Sequence, residues 1–407
     1  MLSFASPELD APMPLRLLLI LGGLSAFGPL AIDLYLPAFP AMARSFATDT
    51  EQIQLSLAVY FVGLALGQLF YGPIADRFGR RKPLLFGIVL FTVASFACAL
   101  APSLEWLLAA RFAQALGGCA GMVVNRAIVR DLCTPIESAK VFSQLMLVMG
   151  VAPILAPLAG GWLMLLGGWQ SIFLFLTLFS AAFALLVYFR LPETLPEEGE
   201  RSQLSSALGR YLRLLVEPVF MFHAFTGGVA MAGMFAYIAG SPFIFIELYG
   251  VPAEHYGWLF GLNSAGFILA AQLNGRLLRR RTPLQLLRTT TVLFMCGTLM
   301  LSLVASLQTA SLWPLMVPLF FCMALLALVV PNSSACALAG QGHQAGVASA
   351  LMGTLQFTIA GVVSALVGAL HDGTALPMAM MISVCGVGSA AMAWMARRVE
   401  ERGASSS

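Results

Sequence analysis

The stretch Gly72–Pro83 reads GPIADRFGRRKP, and five of its twelve residues are charged, one acid and four cations. It directly follows a long apolar run in a chain of 407 residues that is 59% hydrophobic and only 10% charged. So many cations in one short loop require an explanation, because charge is rare elsewhere in the chain. The answer lies in the apolar runs that flank the loop on both sides.

The composition predicts an all-α membrane protein with many spans. The mean hydropathy is +0.87, and apolar runs of about 20 residues, the length that a helix needs to cross a bilayer, occur along most of the chain. The runs are continuous and do not alternate between apolar and polar residues, as the strands of a membrane barrel do. Helices also satisfy their own backbone groups within the membrane, which favours the same conclusion.

Twelve apolar segments are long enough to be spanning helices, and an even number returns the chain to the side on which it began. Glycine and proline are frequent within them, as membrane helices tolerate. The predicted spans are 15–37, 51–71, 83–101, 105–126, 140–166, 170–190, 218–245, 255–275, 288–307, 312–335, 345–370 and 376–396.

Lysine and arginine are distributed unevenly between the two sides of these spans. Of the 22 Lys and Arg residues, Arg44 lies on one side and Arg111 lies within a span, whereas the other 20 lie at or near the opposite side. The positive-inside rule places that side, and with it both termini, in the cytoplasm. The loop Gly72–Pro83 is therefore predicted to be cytoplasmic, and its cations help to fix the orientation.

The longest hydrophilic segment divides the twelve predicted spans six and six. We therefore predict an N-terminal six-helix bundle at 1–190, a cytoplasmic linker at 191–217 and a C-terminal six-helix bundle at 218–407. A weak repeat supports this division, because Met-Gly occurs at 149–150 and again at 352–353, about half a chain apart. The basic loops that end at prolines 83 and 283 have the same offset, and repeats of six spans are typical of one transporter architecture.

The basic loop resembles the motif G-x-x-x-D-R-x-G-R-[RK] between the second and third helices of the major facilitator superfamily. The matching residues are Gly72, Asp76, Arg77, Gly79, Arg80 and Arg81. The resemblance implies twelve transmembrane helices in two pseudo-symmetric bundles. It also implies that Asp76 pairs with Arg80, that Asp131 joins them from the foot of the fourth helix, and that this cluster gates transport by latching the two halves together.

Two charged residues lie inside predicted spans, where a charge costs at least about 2.5–3.5 kcal/mol and therefore needs a partner or a function. Asp33 in the first span and Arg111 in the fourth have similar predicted depths, so an ion pair between them is expected. A carboxyl that is alternately desolvated and paired binds and releases a proton. Asp33 and Arg111 are thus predicted to couple protons and to bind substrate, although Asp33 alternatively is a helix-end acid that reaches water.

Family motifs accompany both residues. RFAQALGG, with Arg111 and Gln114, resembles the superfamily's R-x-x-Q-G motif, but Ala115 stands at the glycine position and the glycine follows at Gly117. Asp33 with the proline four residues later resembles the helix-one motif D-x-x-x-P of the twelve-span drug antiporters. The resemblance adds Gln114 to the predicted substrate site.

The fifth predicted span collects small residues and prolines that are expected to participate in gating. Small residues allow membrane helices to approach closely, and proline removes a backbone hydrogen bond and bends a helix. The stretch resembles the motif typical of the superfamily's antiporters without its usual Gly-Pro dipeptide, and ordinary close packing is the alternative. The residues are Gly150, Pro153, Pro157, Gly160 and Gly161.

Polar residues inside the predicted C-terminal spans are candidates for the lining of a substrate cavity. Each of them alternatively forms a hydrogen bond between two helices, which is common in membranes. The candidates are Tyr237, Asn263, Asn332 and Gln356.

Several further stretches resemble the Bcr/CflA (bicyclomycin-resistance) branch of the superfamily, among them GPLAIDLYLPAFPAM and GMFAYIAGSPFIFIELYGV. This resemblance implies a multi-pass protein of the bacterial cytoplasmic membrane that exports small drugs by alternating access in exchange for protons. Bicyclomycin, chloramphenicol or florfenicol, and sulfonamides are the implied substrates. The alternative is a proton-coupled exporter or symporter of a small metabolite such as cysteine.

Other classes of function lack a signal in the sequence. There is no P-loop, H-E-x-x-H or G-x-S-x-G motif, and the seven cysteines form no C-x-x-C pair. We therefore expect a non-enzymatic monomer without a metal or cofactor, whose partners are a drug, protons and membrane lipid and not nucleic acid. A channel is a further alternative, for which no selectivity filter is evident.

Overall fold

The computed structural model describes residues 15–195, 204–341 and 344–405, and all regular structure within them is helical. A short 3-10 turn, Leu36–Ala38, follows the first helix, and a π-helical segment, Phe243–Leu248, continues the ninth. The α-helices are α1 Leu15–Asp33, α2 Phe39–Ser45, α3 Thr50–Phe78, α4 Arg81–Ala99, α5 Leu104–Leu132, α6 Pro135–Gly167, α7 Gln170–Arg190, α8 Leu204–Leu215, α9 Pro218–Pro242, α10 Ala253–Leu277, α11 Pro283–Ser306, α12 Trp313–Leu338, α13 Ala345–Ala369 and α14 Leu376–Ser405.

Every helix except α2 and α8 is of spanning length, so the described residues contain one long helix for each predicted span. Ten segments are both long and apolar enough to cross a membrane. The helix α6 contributes a shorter apolar stretch, Val151–Gly167, and α10 is 25 residues long but carries polar side chains along its length. The all-helical architecture predicted from the sequence is confirmed.

Polar contacts identify the two ends of the bundle. Arg80, between α3 and α4, binds Asp131 near the end of α5, with 2.8 Å between Nε and Oδ2. We call this the basic end. Glu51 at the start of α3 forms an ion pair with His371 after α13, with 2.9 Å between Oε1 and Nε2. We call this the opposite end.

Two seams of closely packed helices join the two halves of the chain. In the first seam α3 packs against α13, and a Cβ at Gly361 would lie 3.2 Å from the Ala58 carbonyl oxygen. In the second seam α6 packs against α10, where a Cβ at Gly257 would lie 2.7 Å from Leu158. Each seam joins the second long helix of one half to the fifth of the other, so the seams are related as the predicted repeat requires.

The predicted linker 191–217 contains a helix that the sequence analysis did not anticipate. The helix α8 is amphipathic, since Leu214 is fully buried while Leu212 is exposed. Leu214 packs in a cluster with Phe220 of α9 and Leu351 of α13. The segment reads as hydrophilic as a whole, so the sequence analysis missed a short helix that buries part of its surface.

Small residues allow α5 to contact both α3 and α4. A Cβ at Gly117 would collide with the backbone of α4, at 2.5 Å from the Gly87 oxygen. Two residues earlier, Ala115 faces Gly63 of α3, where a Cβ would lie 2.7 Å from the Ala115 Cβ. The departure from the R-x-x-Q-G motif thus has a steric explanation, since Gly63 provides the space that Ala115 takes.

We expect Gly117→Ala to lower thermal stability, because its Cβ meets backbone atoms that cannot rotate away. Overpacking of this kind costs about 1–3 kcal/mol. The unfolding midpoint of the purified protein in detergent measures the effect. Gly340→Ala is the matched control, since no atom lies within 4 Å of a Cβ there. Equal midpoints for the two variants would contradict the predicted collision.

Candidate functional site

A network around Arg80 holds the basic end of the first half together. The Arg80 guanidinium binds the Asp76 carboxylate one turn before it and the Asp131 carboxylate of α5. The Arg80 and Asp131 side chains are largely buried, whereas Asp76 is more open to solvent. The contacts of Arg80 with both acids that the resemblance implied are therefore present.

Glu193, just after α7, completes this network and caps the N-terminus of α4. Its Oε1 and Oε2 accept hydrogen bonds from the backbone N–H groups of Arg80 (2.7 Å) and Arg81 (3.2 Å). Burial opposes ionisation of this carboxyl, but hydrogen bonds from four backbone N–H groups outweigh it and hold the pKa of Glu193 below its ordinary value. We call Arg80, Asp76, Asp131 and Glu193 the Arg80 clamp.

The loop geometry explains one of the two motif glycines. Gly79 has φ +91°, a conformation that residues with a side chain rarely adopt, and a Cβ there would collide with the Glu193 carboxylate. Gly72 lies in open space, and nothing in the structure explains why it must be glycine. Arg81 donates to the Tyr188 carbonyl oxygen, and Arg77 lies over its neighbour's exposed phenyl ring.

The Arg80 clamp connects helix ends of the first half with the beginning of the linker. Three of its residues belong to the first half, and Glu193 follows α7 in the predicted linker. Together they join the ends of α3, α5 and α7 to the start of α4. The expectation that this cluster also latches the two halves together stays a prediction.

Arg111 lies in an aromatic cage in the interior of the first half. The side chain is completely buried, and its Cζ lies 4.3 Å from the centre of the Tyr35 ring and 4.2 Å from that of Tyr60. Nη1 donates to Gln114, which in turn donates to Ser95 Oγ at 2.7 Å. Nε and Nη2 have no hydrogen-bond partner among the described residues. Aromatic faces, not a carboxylate, stabilise this buried cation.

The expected ion pair between Asp33 and Arg111 is not formed. Asp33 is the last residue of α1, is buried, and has no hydrogen-bond partner for Oδ1 among the described residues. Tyr35, which contacts Arg111, lies two residues further along the chain. Side chains two residues apart on a helical backbone point in different directions. Tyr35 therefore faces Arg111, and Asp33 faces away from it.

The end of α1 that carries Asp33 lies beside the second half of the chain. The 3-10 turn that follows it, Leu36–Ala38, packs against α9 and α10, the helices that carry Tyr237 and Tyr256. Asn263 Nδ2 donates to Tyr237 Oη at 3.0 Å, and Tyr256 Oη and Ser241 Oγ are 2.7 Å apart. Buried acceptors without a partner, such as Asp33 Oδ1 and Asn263 Oδ1 here, are uncommon in folded proteins. They mark this interface as a polar site between the halves.

The other two predicted cavity residues lie apart from Tyr237 and Asn263. Asn332 donates to Asn274 Oδ1 at 2.8 Å, and Asn274 is eleven residues beyond Asn263 on α10, about 16 Å away at 1.5 Å per residue. Gln356 of α13 packs beside Gly228, which is nine residues from Tyr237 on α9. The structure thus joins two of the four candidates and leaves the other two elsewhere in the bundle.

The predicted gating residues of α6 lie at its contacts with both halves. A Cβ at Gly160 would collide with the Leu34 carbonyl oxygen at the end of α1, and one at Gly161 would lie 3.1 Å from the Glu254 Cα of α10. Pro153 and Pro157 lie inside α6, and the surroundings of Gly150 lie outside the described residues. The helix therefore touches the segment that carries Asp33 on one side and the second half on the other.

Polar contacts across the two halves close the opposite end. Besides the Glu51–His371 ion pair, Thr50 Oγ1 donates to the Glu247 carboxylate of the π-helical segment. The His371 ring also packs edge-on against Phe243, with 4.3 Å between ring centres. We call Thr50, Glu51, Glu247 and His371 the opposite-end seal.

Sequence reasoning missed several residues of these sites. Glu193 had a signal, because Arg80, the residue that precedes α4, provides no side-chain cap and an uncapped helix start attracts a carboxylate. Tyr35 and Tyr60 had none, since aromatic residues are frequent throughout the spans. Glu51 and His371 lie at or directly beside the ends of the predicted spans 51–71 and 345–370, but their pairing depends on how the halves meet.

Comparisons with known proteins agree with this architecture. Residues 20–365 match the sequence model of the Major Facilitator Superfamily. The chain is 40% identical to an uncharacterized MFS-type transporter, YdgK, of Bacillus subtilis, covering 93% of this chain and 94% of that one. It is 30% identical to a bicyclomycin resistance protein homolog of Haemophilus influenzae (91% and 93%) and to a chloramphenicol resistance protein of Pseudomonas aeruginosa (82% and 79%).

Solved structures show the same fold. A bacterial homologue of the human lysosomal transporter Spinster, in an inward-facing and unoccupied conformation, matches with a TM-score of 0.73, covering 95% of this chain and 98% of that one. Sequence identity is 16%, so this likeness concerns the arrangement of helices alone.

The aromatic cage predicts different effects for two substitutions of Tyr60. Tyr60→Leu removes the ring face from Arg111 and is expected to cost about 0.5–2 kcal/mol, the range of a cation–π contact. Tyr60→Phe keeps the face and removes a hydroxyl that has no hydrogen-bond partner among the described residues, so it is the matched control. Thermal unfolding in detergent compares the two, and equal midpoints would show that the ring does not stabilise Arg111.

The opposite-end seal predicts that Glu51→Gln favours opening at that end. Loss of a partly buried ion pair worth about 1 kcal/mol shifts the balance of states roughly fivefold. Spin labels at Pro102→Cys and Ser311→Cys, two exposed loop positions in a background without native cysteines, report the distance between the halves by pulsed electron resonance. The variant is expected to gain longer distances, whereas Glu105→Gln, an exposed acid at the same end, is expected to leave them unchanged. Identical distributions for all three proteins would show that the ion pair does not hold the seal.

Proposed function

The chain belongs to the Major Facilitator Superfamily, and we propose that it is a proton-coupled multidrug efflux antiporter of the bacterial cytoplasmic membrane. Its membership makes it a multi-pass transporter of small molecules and not an enzyme. The relatives named for bicyclomycin and chloramphenicol resistance support small drugs of this kind as substrates. Florfenicol and sulfonamides follow from the resemblance to the same branch.

The observation that carries the proposal is the isolation of Asp33. A charged carboxylate without a partner is expensive inside a membrane, and Asp33 is 3% exposed with one oxygen unbonded. In this conformation the neutral, protonated form is therefore favoured. A rearrangement of the halves that admits water to Asp33 favours the charged form, so one residue binds a proton in one state and releases it in the other.

Arg111 complements Asp33 as a charge that does not change. A guanidinium remains protonated in proteins, and here the aromatic cage and Gln114 hold it in place. When Asp33 is protonated, Arg111 leaves the interior with a net positive charge. When Asp33 loses its proton, its negative charge balances that of Arg111. Binding of a drug and binding of a proton then both depend on the net charge of this interior, so the two compete. Competition of this kind couples the movement of drug and proton in opposite directions.

The two seams provide the movement that alternating access requires. The seams along α3–α13 and α6–α10 rely on glycine for close approach, whereas the Arg80 clamp makes the first half a firmly tied unit. Rocking about the seams breaks the opposite-end seal and exposes Asp33 to water. We propose 1–190 and 218–407 as the two moving bundles and 191–217 as their connection.

The orientation is part of the same proposal. The basic end carries most of the lysine and arginine residues, and the positive-inside rule places such an end in the cytoplasm. Both termini then lie in the cytoplasm, and the opposite-end seal faces outward. Each chain contains both halves of the site, so a monomer suffices for transport.

Proton movement in energised inside-out vesicles tests the proposal. Chloramphenicol, florfenicol and bicyclomycin are added separately, and at least one is expected to alkalinise the lumen as protons leave in exchange for drug. Asp33→Asn is expected to abolish the signal, because an amide binds no proton. Asp49→Asn, an exposed acid near the start of α3, is the matched control and is expected to keep it.

The outcomes separate the competing hypotheses. Drug-induced acidification would indicate symport and contradict antiport. The absence of any signal in the wild-type protein would contradict the proposed drugs and favour a metabolite such as cysteine. A signal that survives in Asp33→Asn would leave antiport in place and contradict the role of Asp33.

A further inference from the structure

The tight loop between α10 and α11 carries cations that no acid of the described residues neutralises. Arg276, Arg279, Arg280 and Arg281 are all exposed, and none has an ion-pair partner in that part of the chain. The equivalent loop of the first half differs, since the Arg80 clamp supplies three carboxylates there. The two halves therefore have equivalent basic loops, but carboxylates largely balance the charge of the first loop and not that of the second.

Helix capping explains the difference. The start of α4 lacks a cap of its own and recruits the Glu193 carboxylate. The start of α11 caps itself, because Thr282 and Gln285 form a reciprocal capping box, and no acid is drawn to this loop. Nearby carboxylates are already engaged, Glu217 by Gln341 and Glu400 by His223.

The arginines continue a stripe that faces outward from the bundle. Trp258, Leu262, Leu269 and Leu273 of α10 are exposed, and their spacing of four or seven residues places them on one face of the helix. Arg276 lies three residues after Leu273 on the same face, and the other three arginines follow the end of the helix at Leu277. From Trp258 to Arg276 the helix rises about 27 Å at 1.5 Å per residue, close to the thickness of a hydrocarbon core of about 30 Å. The stripe therefore ends in arginine at the level of lipid headgroups.

We propose that Arg276, Arg279, Arg280 and Arg281 form a binding surface for the headgroups of anionic phospholipids. Guanidinium groups bind phosphate oxygens in pairs of hydrogen bonds, and the apolar stripe beneath them packs against the acyl chains of the same lipid. A soluble anion satisfies the first interaction only. The continuity of the apolar stripe with the arginines thus selects a lipid as the occupant.

Lipid binding to the purified full-length protein tests the proposal. Calorimetric titration in neutral detergent compares short-chain phosphatidylglycerol, phosphatidylcholine and inorganic phosphate. The wild-type protein is expected to prefer phosphatidylglycerol, and added salt is expected to weaken that binding because it screens exposed charge. Arg276→Gln/Arg280→Gln is expected to weaken it roughly thirtyfold, since each of the two arginines near an anionic surface contributes about 1 kcal/mol and every ~1.4 kcal/mol is tenfold.

Matched variants distinguish a specific surface from general positive charge. Arg397→Gln/Arg398→Gln also removes two cations, but these have internal partners in Glu401 and Trp394, so it is expected to bind phosphatidylglycerol as wild type does. Arg276→Lys/Arg280→Lys is expected to retain most of the binding. If the glutamine variant does not fold, the lysine variant is compared with the wild-type protein in its place. Equal binding by the two glutamine variants, equal affinity for phosphatidylcholine, or comparable affinity for inorganic phosphate would overturn the proposal.

Discussion

A charge within a membrane interior must be stabilised or removed, and this protein does each once at the centre of its fold. Arg111 cannot lose its proton, so two aromatic rings and Gln114 surround it. Asp33 can become neutral, and its Oδ1 receives no such partner among the described residues. The difference follows from their chemistry. Asp33, which lacks stabilising contacts, is the residue whose charge depends on its surroundings, whereas Arg111 is always charged and has such contacts. The rest of the bundle keeps these two groups apart, on different sides of the end of α1.

The internal repeat governs how the two halves meet. The two halves have the same helix order, so the same pairing occurs twice. The second long helix of one half packs against the fifth of the other, as α3 with α13 and as α10 with α6. Backbone groups come close through glycines such as Gly361 and Gly257, so the seams are thin at these points, while Phe61 of α3 and Phe357 of α13 also stack across the first seam. Strong polar contacts lie elsewhere, within one half in the Arg80 clamp and at one end in the opposite-end seal. Stiff halves with thin seams favour movement of each half as a unit.

Much of the fold follows from the sequence, and less of the site does. Apolar runs and the placement of cations predict the long helices, and the loop motif predicts the contacts of Arg80, because these depend on neighbours in sequence and on helix ends. The direction of Asp33 depends on a two-residue offset from Tyr35 at a helix end, which span boundaries known only to a few residues cannot resolve. Glu193 and His371 act across helices distant in the chain, so their partners emerge only when the bundle is assembled. The helix α8 was not predicted, because the segment that contains it reads as hydrophilic as a whole.

The anchoring of α8 sets a limit on how far the halves can separate. One end of the connection is fixed to the first half by Glu193, and the other is fixed to the second half by Leu214. Only nine residue steps separate Leu195 from Leu204, and a fully extended chain spans at most about 3.3–3.6 Å per residue. A fully extended connection is therefore at most roughly 30 Å long. This length is an upper limit on the distance between the two anchored ends, so it bounds how far the halves can separate at the basic end.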